Sequence, residues 1–233
     1  MKNASFLFLV LIINIKFYYN SVIRGVIVIK SKSTSIIIAQ TSFFAAFASI
    51  LTFFSIPLFF VPGFYKMDLS EIVVLIGAFS LGPIAGITIE FLKIFIKVIL
   101  IGTHTAFIGE FTNLLIGLSL IIPSAIIYKK SRDFKHAVLG MIVGTISMAI
   151  VSILANYLVL IPLYCQIFSL NIEDLIRLAH NVNRFINDKY TFILYAVLPF
   201  NLFKAFVSCF GAMLLYKKMC KIINKISKKE LKF

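Results

Sequence analysis

Acidic residues are scarce in this chain. Only 9 of its 233 residues are Asp or Glu, against 23 Lys or Arg, and charged residues of both signs together make up 14%. A soluble domain carries about 25% charged and roughly 45–50% apolar residues, whereas here 61% are hydrophobic. That excess cannot hide in one water-soluble core, because most residues of a small domain touch its surface. Cysteine is scarce too. Cys165, Cys209 and Cys220 are odd in number and far apart, which excludes a disulfide framework and metal-ligand spacing and leaves them as packing residues. His104, His136 and His180 are isolated, and there is no HExxH, paired-Asp motif or Cys/His cluster. No catalytic, metal or cofactor site is therefore expected. Without a GxxxxGKS or GxxxxGKT motif, the chain has no P-loop with which to hydrolyse ATP.

What is present is a series of long apolar runs. In hydrocarbon every backbone N–H and C=O needs an internal partner, which restricts spans to helices or a closed barrel. Continuous runs, rather than alternation at every second residue, select helices. The predicted class is an all-α integral membrane protein in the lipid bilayer. The net charge of +14 would suggest nucleic-acid binding in a soluble protein. Here the basic residues lie between and after the apolar runs, as cytoplasmic flanks of membrane helices do, so no nucleic acid is expected.

Residues 1–35 read as an N-terminal extension without an assigned role. Ala4–Ile15 falls short of the roughly 20 residues a span needs and suits an interfacial or signal-like segment as well as a plain upstream extension. A membrane domain over 36–220 follows, then a basic tail over 221–233 that continues Lys217 and Lys218. Within the domain the runs are Ile36–Ile56, Glu71–Gly102, Ile108–Tyr128, Ala137–Leu163 and Thr191–Tyr216. Glu71–Gly102 is long for one crossing and short for two. If it crosses twice, broken at Gly82-Pro83, then Lys30 and Lys32, the turn Lys129–Lys135 and the basic tail all lie on the cytoplasmic side. This predicts six crossings with both termini cytoplasmic. The loop containing Asp68 and Glu71 would then lie outside.

Charged side chains in spans cost roughly 2.5–3.5 kcal/mol at the bilayer centre, so each is a candidate functional residue. Glu90, Lys93, Lys97, Glu110, Asn113, Asn156, Asn201 and Lys204 are the polar set. Glu90 and Lys93 are one turn apart and suit an ion pair; Lys97 and Glu110 suit either an interhelical pair or a site. Asn113 fits interhelical hydrogen bonding as well as ligand contact. Asn201 and Lys204 share a helix face just after Pro199, and Lys204 has no carboxylate nearby in sequence, so ligand oxygens would serve as its partner. By rise per residue, most of this set falls in the outer half of the membrane. Phe59, Phe60, Phe64 and Tyr65, among prolines and a glycine, suit either interfacial anchoring or stacking on a flat heteroaromatic ligand. Small residues mark close helix approach: Ser42, Ala45, Ala46 and Ser49 in the first run, then Gly82-xxx-Gly86 and Gly140-xxx-Gly144.

Several stretches together resemble the RibU-type riboflavin S-components, the substrate-binding membrane subunits of energy-coupling-factor (ECF) importers. They are KMDLSE at 66–71, LIGAF at 75–79, LGPIAG at 81–86, EFLK at 90–93, GEFTNLLIG at 109–117, NYLVLIPLY at 156–164 and PFNLFK at 199–204. The resemblance covers roughly Ala39 to Tyr216. It implies a six-transmembrane-helix S-component bundle in a prokaryotic cell membrane. Riboflavin would be the transported ligand rather than a cofactor, held by Asn156, Asn201, Lys204, Asn113, Tyr65 and Phe64. It also implies docking through Ser42, Ala45, Ala46 and Ser49 on a transmembrane scaffold subunit driven by two cytoplasmic ATPases. The serines depart from the family's usual alanine pair. The alternatives are an S-component for another vitamin, a small membrane enzyme and a structural membrane subunit.

Overall fold

The computed structural model describes residues 34–63, 65–103, 105–169 and 171–230, with side chains up to Tyr216. Phe64, His104 and nearly all of the N-terminal extension lie outside the described residues. The basic side chains of the tail do too. The compact body begins at Gln40.

The first helix, α1 (Thr34–Thr52), enters this body at Gln40. Its buried positions carry small side chains, Thr41 and Thr52 among them, while its exposed ones carry mostly large apolar side chains. Ala45, Ala48 and Ser49 are buried, while Phe43, Phe47 and Ile50 are exposed. That inversion is expected where the solvent is hydrocarbon: large side chains gain nothing by leaving lipid, and small ones let backbones approach.

After α1 the chain forms a short antiparallel ribbon, β1 (Ile56–Pro57) with β2 (Lys66–Met67), pairing Ile56 with Met67. Helix α2 (Ser70–Leu81) starts where Asp68 accepts the backbone N–H of Ser70 at 2.9 Å. Most of it is buried, from Val73, Val74 and Leu75 to Ala78 and Phe79, with Ile72, Ile76 and Ser80 half-buried along one face. Gly82, at φ 103°, then reverses the chain, and Pro83 opens α3 (Pro83–Ile101) at a position where its missing N–H costs nothing. The expected break at Gly82-Pro83 is therefore where the structure divides Glu71–Gly102.

Helices α4 (Ile108–Ser131) and α5 (Phe134–Ala155) form a tight hairpin. A Cβ on Gly140 would lie 2.6 Å from the Ser124 carbonyl oxygen, so only glycine permits this approach. Ser124 Oγ donates to Leu120 O at 2.6 Å and lies 3.1 Å from Gly140 O. Asp133 begins α5 by accepting the His136 N–H at 2.7 Å, which holds its carboxyl below the usual range.

Two rods complete the body. In the first, α5 passes through a π-helical turn, Asn156–Leu160, into α6 (Ile161–Ile167). A separate amphipathic helix, α7 (Ile172–Val182), follows. The second rod runs from α8 (Lys189–Phe192), capped by Asp188, through a π-helical turn at Ile193–Val197 into α9 (Leu198–Glu230). Each π turn holds the residue four before a proline, Leu158 before Pro162 and Tyr195 before Pro199. A proline ring clashes with that carbonyl and offers it no N–H, and a widened turn relieves both problems.

Four of these helical segments are long and apolar enough to cross a membrane: Thr34–Thr52, Ile108–Ser131, Phe134–Ile167 and Lys189–Tyr216. Helix α3 matches the first of these in length but carries Glu90, Lys93 and Lys97, and α2 has only 12 residues.

Candidate functional site

Two apolar clusters divide the body. One joins Ala48, Val74, Leu120, Met148 and Ala205. The other joins Val61 and Met67 of the ribbon region to Ile161, Leu175, Ile186, Phe192 and Phe200. The polar residues collect where the two meet. Along α9, Phe200 belongs to the ribbon-side cluster and Ala205 to the other, with Asn201 and Lys204 between them.

Asn156 opens the first π turn and is fully buried. Its Nδ2 donates to Ser152 O at 2.8 Å, and its Oδ1 accepts the Tyr65 hydroxyl at 2.7 Å. Tyr65 thus ties the ribbon to the first rod. Its ring lies 5.1 Å from that of Phe200 and 6.3 Å from that of Phe192, while Phe60 meets Phe203 edge-on at 6.2 Å. Asn201, also buried, donates Nδ2 to Val197 O at 2.8 Å. An amide offers two donor hydrogens and a two-lone-pair carbonyl. After these bonds both asparagines retain one N–H and acceptor capacity, Asn156 against Tyr65 and Asn201 next in sequence to Phe200.

Lys204 Nζ donates to Asn113 Oδ1 at 2.9 Å and lies 3.1 Å from Glu71 Oε1. The same Glu71 oxygen accepts from Lys93 Nζ at 3.0 Å, and Lys93 is 2.7 Å from Glu90 Oε2. Glu71, Glu90 and Lys93 are each 0% exposed. The network draws on α2, α3, α4 and α9, and its two lysines balance its two carboxylates. Charges in hydrocarbon are tolerated when paired in this way. Gly117 on α4 makes the room, since a Cβ there would collide with Glu90 Oε1 and sit 3.3 Å from Glu71 Oε1.

The structure therefore brings Tyr65 to Asn156 and Lys204 to Asn113, with Asn201 one turn before Lys204. Phe59, by contrast, is 91% exposed. Glu90 and Lys93 pair as their spacing suggests. Among the described residues no ion pair joins Lys97 to Glu110. The Glu110 carboxylate instead accepts the hydroxyls of Thr103 and Thr105 at 2.9 and 2.7 Å.

Two expectations need correction. Glu71 is not an external loop residue but lies in the first turn of a buried helix. Lys204 does not lack a carboxylate, because Glu71 supplies one from far away in sequence. The signal that points to Glu71 is the unbroken apolar run, Ile72 to Phe79, that begins immediately after it. The small residues of α1 also divide: Ala45 and Ser49 face the bundle interior, whereas Ser42 and Ala46 are exposed.

Residues 37–216 match the family model for the substrate-specific component of ECF transporters. The riboflavin transporter RibU of Staphylococcus aureus is 32% identical over 185 residues, covering 79% of this chain and 90% of that protein. The riboflavin transporter FmnP of Bacillus subtilis is 25% identical over 179 residues, covering 76% of this chain and 88% of its own. A solved S component of a bacterial ECF transporter superposes with a TM-score of 0.64 at 28% identity, covering 82% of this chain and 99% of its own. A multi-pass membrane bundle with no ATPase motif, matched over most of its length, belongs to the substrate-specific (S) components of the ECF transporters.

Proposed function

We propose that this S-component captures riboflavin at the outer membrane face for uptake driven by partner ATPases. The observation that carries the reading is the pair of buried amides, Asn156 and Asn201. Each retains hydrogen-bonding capacity, Asn156 against Tyr65 of the Tyr65–Phe192–Phe200 aromatic group and Asn201 next in sequence to Phe200. Riboflavin has a large apolar ring system whose polar edge both donates and accepts. Apolar walls can carry much of the affinity, but that edge must exchange water for partners, and leaving a group unpaired costs roughly 1–3 kcal/mol. Asn156 and Asn201 supply donors and acceptors, and Lys204 supplies a donor beside Asn113. The curated relatives with riboflavin in their names support this ligand over another vitamin.

In the same reading the chain crosses the membrane six times with both termini in the cytoplasm, α2 and α3 making two short crossings. The basic turn Lys129–Lys135 and the basic tail are the support for this orientation. Ser42 and Ala46, being small and exposed on α1, are the favoured contact with a transmembrane scaffold subunit, which two cytoplasmic ATPases would drive. Ala45 and Ser49 then serve packing within the bundle.

Titration by flavin-fluorescence quenching, on variants first shown to be monodisperse, tests the ligand site. Asn156→Ala, Asn201→Ala and Lys204→Met should each weaken riboflavin binding at least tenfold, equivalent to about 1.4 kcal/mol. Wild-type affinity in all three would remove the assignment.

A further inference from the structure

Glu71 stands outside the residues assigned to the ligand, yet it touches one of them. Its Oε1 accepts from Lys93 Nζ at 3.0 Å and lies 3.1 Å from Lys204 Nζ, which also donates to Asn113 Oδ1 at 2.9 Å. An ammonium group carries three donors in a tetrahedral set. The ion pair with Glu71 and the hydrogen bond to Asn113 hold the ammonium between α2 and α4 and leave it donor capacity beyond them. The carboxylate that does this cannot wander. It is wholly buried in the first turn of α2, where a negative charge suits the helix dipole. Lys93 bonds the same carboxylate oxygen, and Glu90 in turn lies 2.7 Å from Lys93.

We infer that Glu71 is a positioning residue for the ligand site, acting through Lys204: it aims the remaining ammonium N–H at the ligand's polar edge. The inference rests on the assignment of Lys204 to that site. Without Glu71, Lys204 has only Asn113 to orient it among the described residues, and its long, rotamer-rich side chain must be ordered by the ligand itself. Ordering such a side chain weakens binding. Lys93 and Glu90 act one step further away and should matter for folding more than for affinity.

The test is a double-mutant cycle on the full chain, read by riboflavin titration and by the absorption band of the bound flavin. Glu71→Gln keeps the shape of the side chain and an acceptor oxygen but loses the charge. It should weaken binding about tenfold and shift the flavin band in the same direction as Lys204→Met. The double variant E71Q/K204M should bind no more than about twofold worse than K204M alone, because Glu71 has nothing to act on once the ammonium is gone. Should E71Q not fold, Glu71→Asp preserves the charge while drawing the carboxylate back by one methylene, and it should weaken binding as well. Unchanged affinity in E71Q, or in E71D when E71Q cannot be prepared, with K204M impaired, would remove Glu71 from the site. Losses that multiply in the double variant would show that Glu71 acts independently of Lys204 and overturn the mechanism. Wild-type affinity in K204M would overturn both this inference and the assignment of Lys204.

Discussion

The two apolar clusters of this bundle are built by different rules. The cluster around Leu120 and Met148 is made where α2, α4 and α5 are regular and closely spaced. Gly140 there admits the Ser124 backbone so closely that a Cβ would stand 2.6 Å from its carbonyl oxygen. The ribbon-side cluster is made of loop, ribbon, short helices and two π turns, with Tyr65, Phe192 and Phe200 as its large members. A regular helix uses up its backbone polar groups and leaves only side-chain shape to vary. The two π turns spoil that regularity, whereas α4 carries Pro123 without one. The asparagine amides beside the π turns are then held by backbone carbonyls instead of pointing into lipid. The comparison teaches that rigidity and recognition are kept apart in one small bundle. The four-residue charge network lies at the seam.

If that division is real, the seam should be the most sensitive place. Replacing Lys93 with Met leaves Glu71 and Glu90 buried with Lys204 as their one remaining cation. Breaking a buried pair in this way costs roughly 3–5 kcal/mol, so the variant should lose most of its folded yield in detergent. K93M combined with Glu90→Gln restores the balance of charge and should recover a large part of the thermal stability. A double variant no better than K93M would mean that charge balance is not what the network provides.

The regular cluster should respond in stability and not in affinity. Gly140→Val pushes a side chain into the Ser124 backbone, and overpacking of this kind typically costs about 1–3 kcal/mol. Thermal unfolding should register that loss, while the protein that remains folded binds riboflavin normally. A selective drop in affinity with unchanged melting would contradict the division.

The ribbon-side cluster should do the reverse, with the smallest effect of the three. Pro199→Ala returns an N–H to the second rod and removes the clash with the Tyr195 carbonyl, so the π turn at Ile193–Val197 can tighten. Tightening rotates Phe192 relative to Asn201. Riboflavin affinity should fall by a factor of roughly three to ten, near 1 kcal/mol, with little change in melting temperature. Wild-type affinity would show that the π turn is incidental to recognition.

Much of this protein could be read from local pattern. The membrane helices follow from apolar runs, because a segment that must satisfy its own backbone in lipid carries its evidence within itself. The break at Gly82-Pro83 is equally local, since positive φ and a missing N–H belong to those two residues. Asn113, Asn156, Asn201 and Lys204 stood out because polar groups are costly in hydrocarbon wherever their partners lie. What only the tertiary structure decided is who those partners are. Glu71 and Lys204 lie on helices remote in the chain, and no spacing rule joins them. Nor could the pattern say which small residues of α1 face inward. In water a helix declares its buried face by polarity, but in lipid both faces are apolar. Only packing against the neighbouring helices distinguished Ala45 and Ser49 from Ser42 and Ala46.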